Sequence, residues 1–189
     1  MMKTMLAQCF CVLVACSPAL FLKCNGDTIQ LKLINDSLHL LQDMGGKFPN
    51  HCMKEVTGLS VQFRSLIHGK EETDILWTIH NTLKLASNLY NSDLKSVDWD
   101  EFKLNEFKDL LYRQAVEFKR DALEVTKTHP VNGTQKRKRR PRLRKYFKTL
   151  RTFLQRKEHS LCAWEVVRNE LREILQQLAS ICNETTRRN

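Results

Sequence analysis

Near the end of the chain, apolar residues recur at alternating steps of three and four: Trp164, Val167, Leu171, Ile174, Leu178 and Ile181. A strand cannot gather this set on one face, because its side chains alternate with period two, whereas a helix of 3.6 residues per turn aligns all six. The same rhythm recurs upstream. Leu31, Ile34, Leu38 and Leu41 form a first stripe, closed by Gly45-Gly46, and Ile75, Ile79, Leu83, Ala86 and Leu89 form another. Leu104, Phe107, Leu111, Ala115, Phe118, Ala122 and Val125 mark a long helix that begins near Trp99. Leu143, Phe147, Leu150 and Leu154 predict a helix opened by Pro141, whose missing N–H is not needed in a first turn. Val56, Leu59, Phe63 and Leu66 predict a short helix inside a long connection. Each stripe is read as core.

These elements set the fold class. With six Gly and four Pro, the chain lacks the turns of a β-sandwich or a dinucleotide-binding fold. The connections 45–73 and 128–140 are long, while 91–98 is short. Four main helices with two long crossovers predict an all-α, up-up-down-down bundle of the helical cytokine kind. The helix opened by Pro141 is the fifth, packed where the second crossover runs.

Residues 1–23 read as a signal peptide rather than as part of the bundle. Lys3 supplies a positive start, and Met5 to Leu22 is apolar apart from Gln8, Ser17 and Pro18. Ser17 and Ala19 offer small residues for a cut after Ala19, so cleavage falls between 19 and 23 and residues 24–189 form one secreted domain. Cys24, Cys52, Cys162 and Cys182 then remain in an oxidising compartment, which suggests two disulfides in any of three connectivities. Zinc is disfavoured, since His51-Cys52 and His159-x-x-Cys162 match no finger spacing. Asn35, Asn132 and Asn183 each open an Asn-x-Ser/Thr sequon, which makes them candidate glycosylation sites.

Charge is concentrated. Nine Lys or Arg and no acid lie between Lys136 and Lys148, and without them the formal +10 falls to +1. Such a run is either a solvated face or a site for an acidic polysaccharide such as heparan sulfate, with Lys136, Arg137, Lys138, Arg139 and Arg140 at its centre. Nucleic acid is not the expected partner, because no aromatic residues interleave the run. No Gly-x-Ser-x-Gly, phosphate loop, His-Glu-x-x-His or dinucleotide turn is present, so the chain reads as a non-enzyme without metal or cofactor. On composition alone, another secreted helical cytokine or growth factor, or a basic antimicrobial protein, would share these features.

One motif is more specific. Cys162-Ala-Trp-Glu-Val-Val-Arg168 resembles the signature that opens the last helix of type I interferons. Leu41 to Gly46, Ser96-Val-Asp-Trp-Asp100 and Arg144-Lys-Tyr-Phe147 are similar to fish members of that family. The resemblance implies a five-helix cytokine that joins two receptor chains of the class II cytokine receptor type, induces an antiviral state and does not insert into membranes. It further implies that Arg168, Asn169 and Arg172 face the high-affinity receptor chain, together with Met53 and Lys54 of the Cys52-Met-Lys-Glu55 segment. Val56 stands where the family carries an important Arg. With the first and last helices antiparallel, such a bundle implies the pairs Cys24–Cys182 and Cys52–Cys162. Arg168 follows the core residue Val167 by ~100° and is expected to point outward with Arg172.

Overall fold

A computed structural model describes residues 29–56, 63–67, 70–128 and 140–186. The leader, Cys24, Asn132 and Lys136 to Arg139 lie outside these residues, as does the side chain of Arg140. The elements are α1 (Ile29–Gly45), a 3-10 turn (Asn50–Glu55), α2 (Phe63–Ile67), α3 (Glu72–Tyr90), α4 (Glu101–Thr128), α5 (Arg140–Arg156) and α6 (Leu161–Thr186). No strand occurs among the described residues.

Local chemistry sets the helix ends. Gly46 takes the left-handed φ of +65° that ends α1 at little steric cost, and its N–H bonds back to the Gln42 carbonyl. The Asp100 carboxylate accepts the Lys103 N–H at 3.0 Å and so caps α4, two residues later than the apolar pattern suggests. Ser160 does the same for α6 through the Ala163 N–H. The short helix expected across Val56 to Leu66 is met in part among the described residues, and Leu59 lies outside them. Pro49 launches the 3-10 turn, Val56 ends it in an extended, exposed conformation, and Phe63–Ile67 is helical.

Cross-links give the directions of the helices. Gln30 meets Asp121, Gln114 bonds the Leu33 carbonyl and Ser37, and the Asp100 N–H meets the Met44 carbonyl, so α4 runs antiparallel to α1. His80 contacts the Ala115 carbonyl while Tyr90 packs edge-on to Phe107, which makes α3 antiparallel to α4. Arg168, early in α6, reaches the end of α1, so those two are antiparallel as well. The four main helices therefore run up-up-down-down. α5 fills the second crossover and packs Phe147 and Leu150 against Ala86, Leu89, Val167 and Leu171. The core is continuous through all five long helices. At one end of the bundle it holds an aromatic cluster, where Tyr90, Trp99, Phe107 and Trp164 lie with ring centroids 5.2 to 6.3 Å apart.

Candidate functional site

That aromatic end is also where the residues of the sequence signature gather. α1 stops at Gly45-Gly46, and a Cβ at Gly45 would stand 2.8 Å from Trp99 Nε1 and 3.0 Å from the Arg168 guanidinium carbon. Gly45 is therefore the gap through which the indole and the guanidinium reach the end of α1. Arg168 fills it. Its Nη1 donates to the Leu41 carbonyl at 2.6 Å, its Nη2 to the Gly46 carbonyl at 3.0 Å, and its Nε and Nη2 to Glu165 Oε2 at 3.1 and 2.6 Å. The other Glu165 oxygen accepts Trp99 Nε1–H at 2.6 Å. The guanidinium carbon lies 5.8 Å from the Trp99 ring centroid, within cation–π range.

The expectation that Arg168 points outward is thus corrected: the residue is only 5% exposed. A buried cation is tolerable because Glu165 neutralises it and the negative end of the α1 dipole faces it. The apolar stripe of α6 gave no warning, because stripe geometry assumes solvent on the remaining faces. Here the 46–56 connection covers one of them. The Cys52–Cys162 disulfide joins that connection to the first turn of α6, as the bundle implied. Both thiols of the His51–Cys52–Cys162 cluster are taken up by this bond.

Around this clamp the other candidate residues remain accessible. Met53 is 60% exposed and Lys54 is exposed, both on the 3-10 turn. Asn169 and Arg172 are half-buried and line a shallow groove with Leu41, Gln42, Gly46, Phe48 and Arg168. Arg172 Nη2 donates to Asn169 Oδ1 at 2.7 Å, and its buried Nε has no hydrogen-bond partner among the described residues. Cys182 is buried on α6. Asn35 and Asn183 are both exposed, on α1 and α6.

Comparison with known proteins decides what this arrangement belongs to. The family model of the interferon alpha/beta domain matches residues 28–185. The chain belongs to the alpha/beta interferon family. It is 30% identical over 142 residues to interferon a3 of Oncorhynchus mykiss, covering 75% of this chain and 74% of that one. It is 29% identical over 138 residues to interferon beta of Tachyglossus aculeatus aculeatus, covering 71% of each. Among solved structures, zebrafish interferon 2 superposes with a TM-score of 0.68 at 26% identity, over 79% of this chain and 96% of that one. Zebrafish interferon 1 gives 0.69 at 23% identity, over 83% and 99%.

In this interferon-family cytokine, sequence reasoning missed Glu165, Trp99 and Gly45 as parts of the site. Glu165 and Arg168 stand at i and i+3 on one helix, a spacing at which an acid and a base meet. That was the available signal. Elsewhere the bundle is tied by half-hidden titratable groups. Burial pushes the Glu170 carboxyl up, while the Tyr146 O–H, 2.7 Å away and joining α5 to α6, pulls it the other way. Burial likewise pushes Asp121 up against the opposing hydrogen bond from Gln30, and pushes His80 down against the Ala115 carbonyl. These groups cross-link helices in the interior and are separate from the groove.

Proposed function

We propose that this helical cytokine is secreted after loss of its leader and binds two cell-surface receptor chains to induce an antiviral state. Its principal receptor contact is the face formed by the end of α1, the 46–56 connection and the first half of α6. One observation carries this reading: the disulfide and the Arg168 clamp hold exposed Met53 and Lys54 over the start of α6, roughly 10 Å along the helix axis from Asn169. A flexible side chain such as Met adapts to a partner surface, and cations beside it favour an acidic receptor patch.

Within this face the roles divide. Arg172 is half-buried at the edge of the groove, and a guanidinium there can fork its outward N–H groups onto a receptor carboxylate. Asn169 orients that guanidinium. Arg168 acts indirectly, by fixing the covering connection against α6. A reporter assay for antiviral gene induction in cells of matched origin tests the function, and titration with soluble receptor ectodomains tests the face. Induction by the parent, with affinity lost in a Met53→Ala/Arg172→Ala double variant, is the expected result. A parent protein that induces nothing would overturn the function, and a double variant with parental affinity would overturn the face.

A further inference from the structure

α5 carries seven Lys or Arg and no acid in seventeen residues. Arg142, Arg144, Lys145, Lys148, Arg151 and Arg156 are all exposed, and none forms an ion pair with a carboxylate among the described residues. Elsewhere the chain does pair its charges: Arg168 with Glu165, Lys157 with Glu55, Arg120 with Glu117. Leu143, Phe147, Leu150, Phe153 and Leu154 are buried, so the cations stand on a rigid, docked helix rather than on a loose tail. Arg144, Lys148 and Arg151 fall at i, i+4 and i+7, one face, and span about 10 Å along the axis. Together with Leu85, Leu89 and Phe147 they line a trough of about 220 Å³ between α3 and α5. Lys84 of α3 shares the adjoining hollow with Arg144.

From this we infer that the α3–α5 trough is a binding site for a sulfated polysaccharide, with Arg144, Lys148 and Arg151 as the principal contacts and Lys84 in the adjoining hollow. A chain of regularly spaced sulfates meets a row of cations along one helix face, and guanidinium groups fork onto each oxyanion. Two other polyanions fit less well. An anionic bilayer calls for an apolar face free to insert, and that of α5 is spent in the core. Single-stranded nucleic acid calls for exposed aromatic platforms, yet Phe147 and Phe153 are buried and the Tyr146 hydroxyl turns inward to Glu170. This site lies on different residues from the proposed receptor face and does not depend on that reading.

The test uses the secreted, full-length protein on immobilised heparin, with selectively desulfated heparin, duplex DNA and phosphatidylserine vesicles as competitors. An Arg144→Gln/Lys148→Gln/Arg151→Gln variant is compared with an Arg113→Gln/Lys119→Gln/Arg120→Gln variant of equal charge on α4. A Lys136→Gln/Arg137→Gln/Lys138→Gln/Arg139→Gln variant of the preceding connection is the third arm. The α5 variant should lose on the order of tenfold in affinity near physiological salt, and its log–log salt slope should fall by about two to three. The α4 variant should stay near the parent, and sulfated heparin alone should compete well. Equal losses from the α4 variant, full retention by the α5 variant with loss confined to the connection, or preferential competition by DNA or vesicles would each overturn the inference.

Discussion

Arg168 on α6 and Arg144 on α5 begin from the same sequence logic. Each follows a buried apolar residue, Val167 or Leu143, and so turns ~100° away from a core stripe. Yet Arg168 is inside, with four hydrogen bonds, and Arg144 is outside with no ion pair among the described residues. The difference is set by what lies over the helix rather than by the helix itself. A disulfide-pinned connection and the end of α1 close over α6, and no described element closes over the outer face of α5. The same residue type thus becomes a structural clamp in one place and a surface charge in the other.

If covering is what turns Arg168 inward, removing the pin should have the largest effect. Replacing Cys52 and Cys162 by Ser opens a loop of 110 residues. On loop-closure entropy alone this costs about 4.7 kcal/mol, and it should appear as a large drop in Tm that reduced wild-type protein reproduces. Next comes the partner of the clamp. Glu165→Ala strands a buried guanidinium and the Trp99 indole N–H, for an expected loss of about 3–5 kcal/mol in denaturant unfolding. Neutralising an α5 cation such as Arg144→Gln should change stability by less than about 0.5 kcal/mol, and a comparable loss there would dissolve the contrast.

Gly45→Ala is intermediate. Its Cβ would press on the Trp99 ring, at a cost of about 1–3 kcal/mol, measurable as a shift in the unfolding midpoint. A pH-dependent effect concerns the buried acid between the two helices. Burial holds the Glu170 carboxyl above its ordinary range, so the folded chain binds that proton more tightly than the unfolded chain does. Its contribution is then most favourable at low pH and declines as pH rises through the raised pKa. Glu170→Gln keeps an acceptor for the Tyr146 O–H and removes the charge. It should raise Tm at pH 7 relative to the parent, with the gain shrinking as pH falls through the raised pKa towards the ordinary carboxyl range.

The bundle was legible because its signals are local and repeated. The stripes around Ile34, Leu83, Phe107, Leu150 and Leu171 mark helices whose apolar faces have only each other to pack against. Gly45-Gly46 and Pro141 marked ends correctly. The 46–56 connection was less legible, because the Val56 stripe was too short to separate a helix from a turn that leaves Val56 half-exposed. The inward turn of Arg168 was not legible at all. It depends on the Leu41 and Gly46 carbonyls, more than a hundred residues away, and on space left by a missing Cβ at Gly45. The cations of α5 could be counted in the sequence, but their trough could not, since its Leu85 and Leu89 come from α3.

The central claim is that Arg168 builds the receptor face while Arg172 touches the receptor. The most direct test measures Tm and receptor-ectodomain affinity together for Arg168→Ala and Arg172→Ala. The account predicts a split. Arg168→Ala should lose about 3–5 kcal/mol of stability, with its binding defect tracking the unfolded or loosened fraction. Arg172→Ala should keep its Tm within a few degrees and lose on the order of 1–2 kcal/mol in affinity. An Arg168→Ala protein as stable as the parent but unable to bind, beside an Arg172→Ala protein that binds normally, would contradict it.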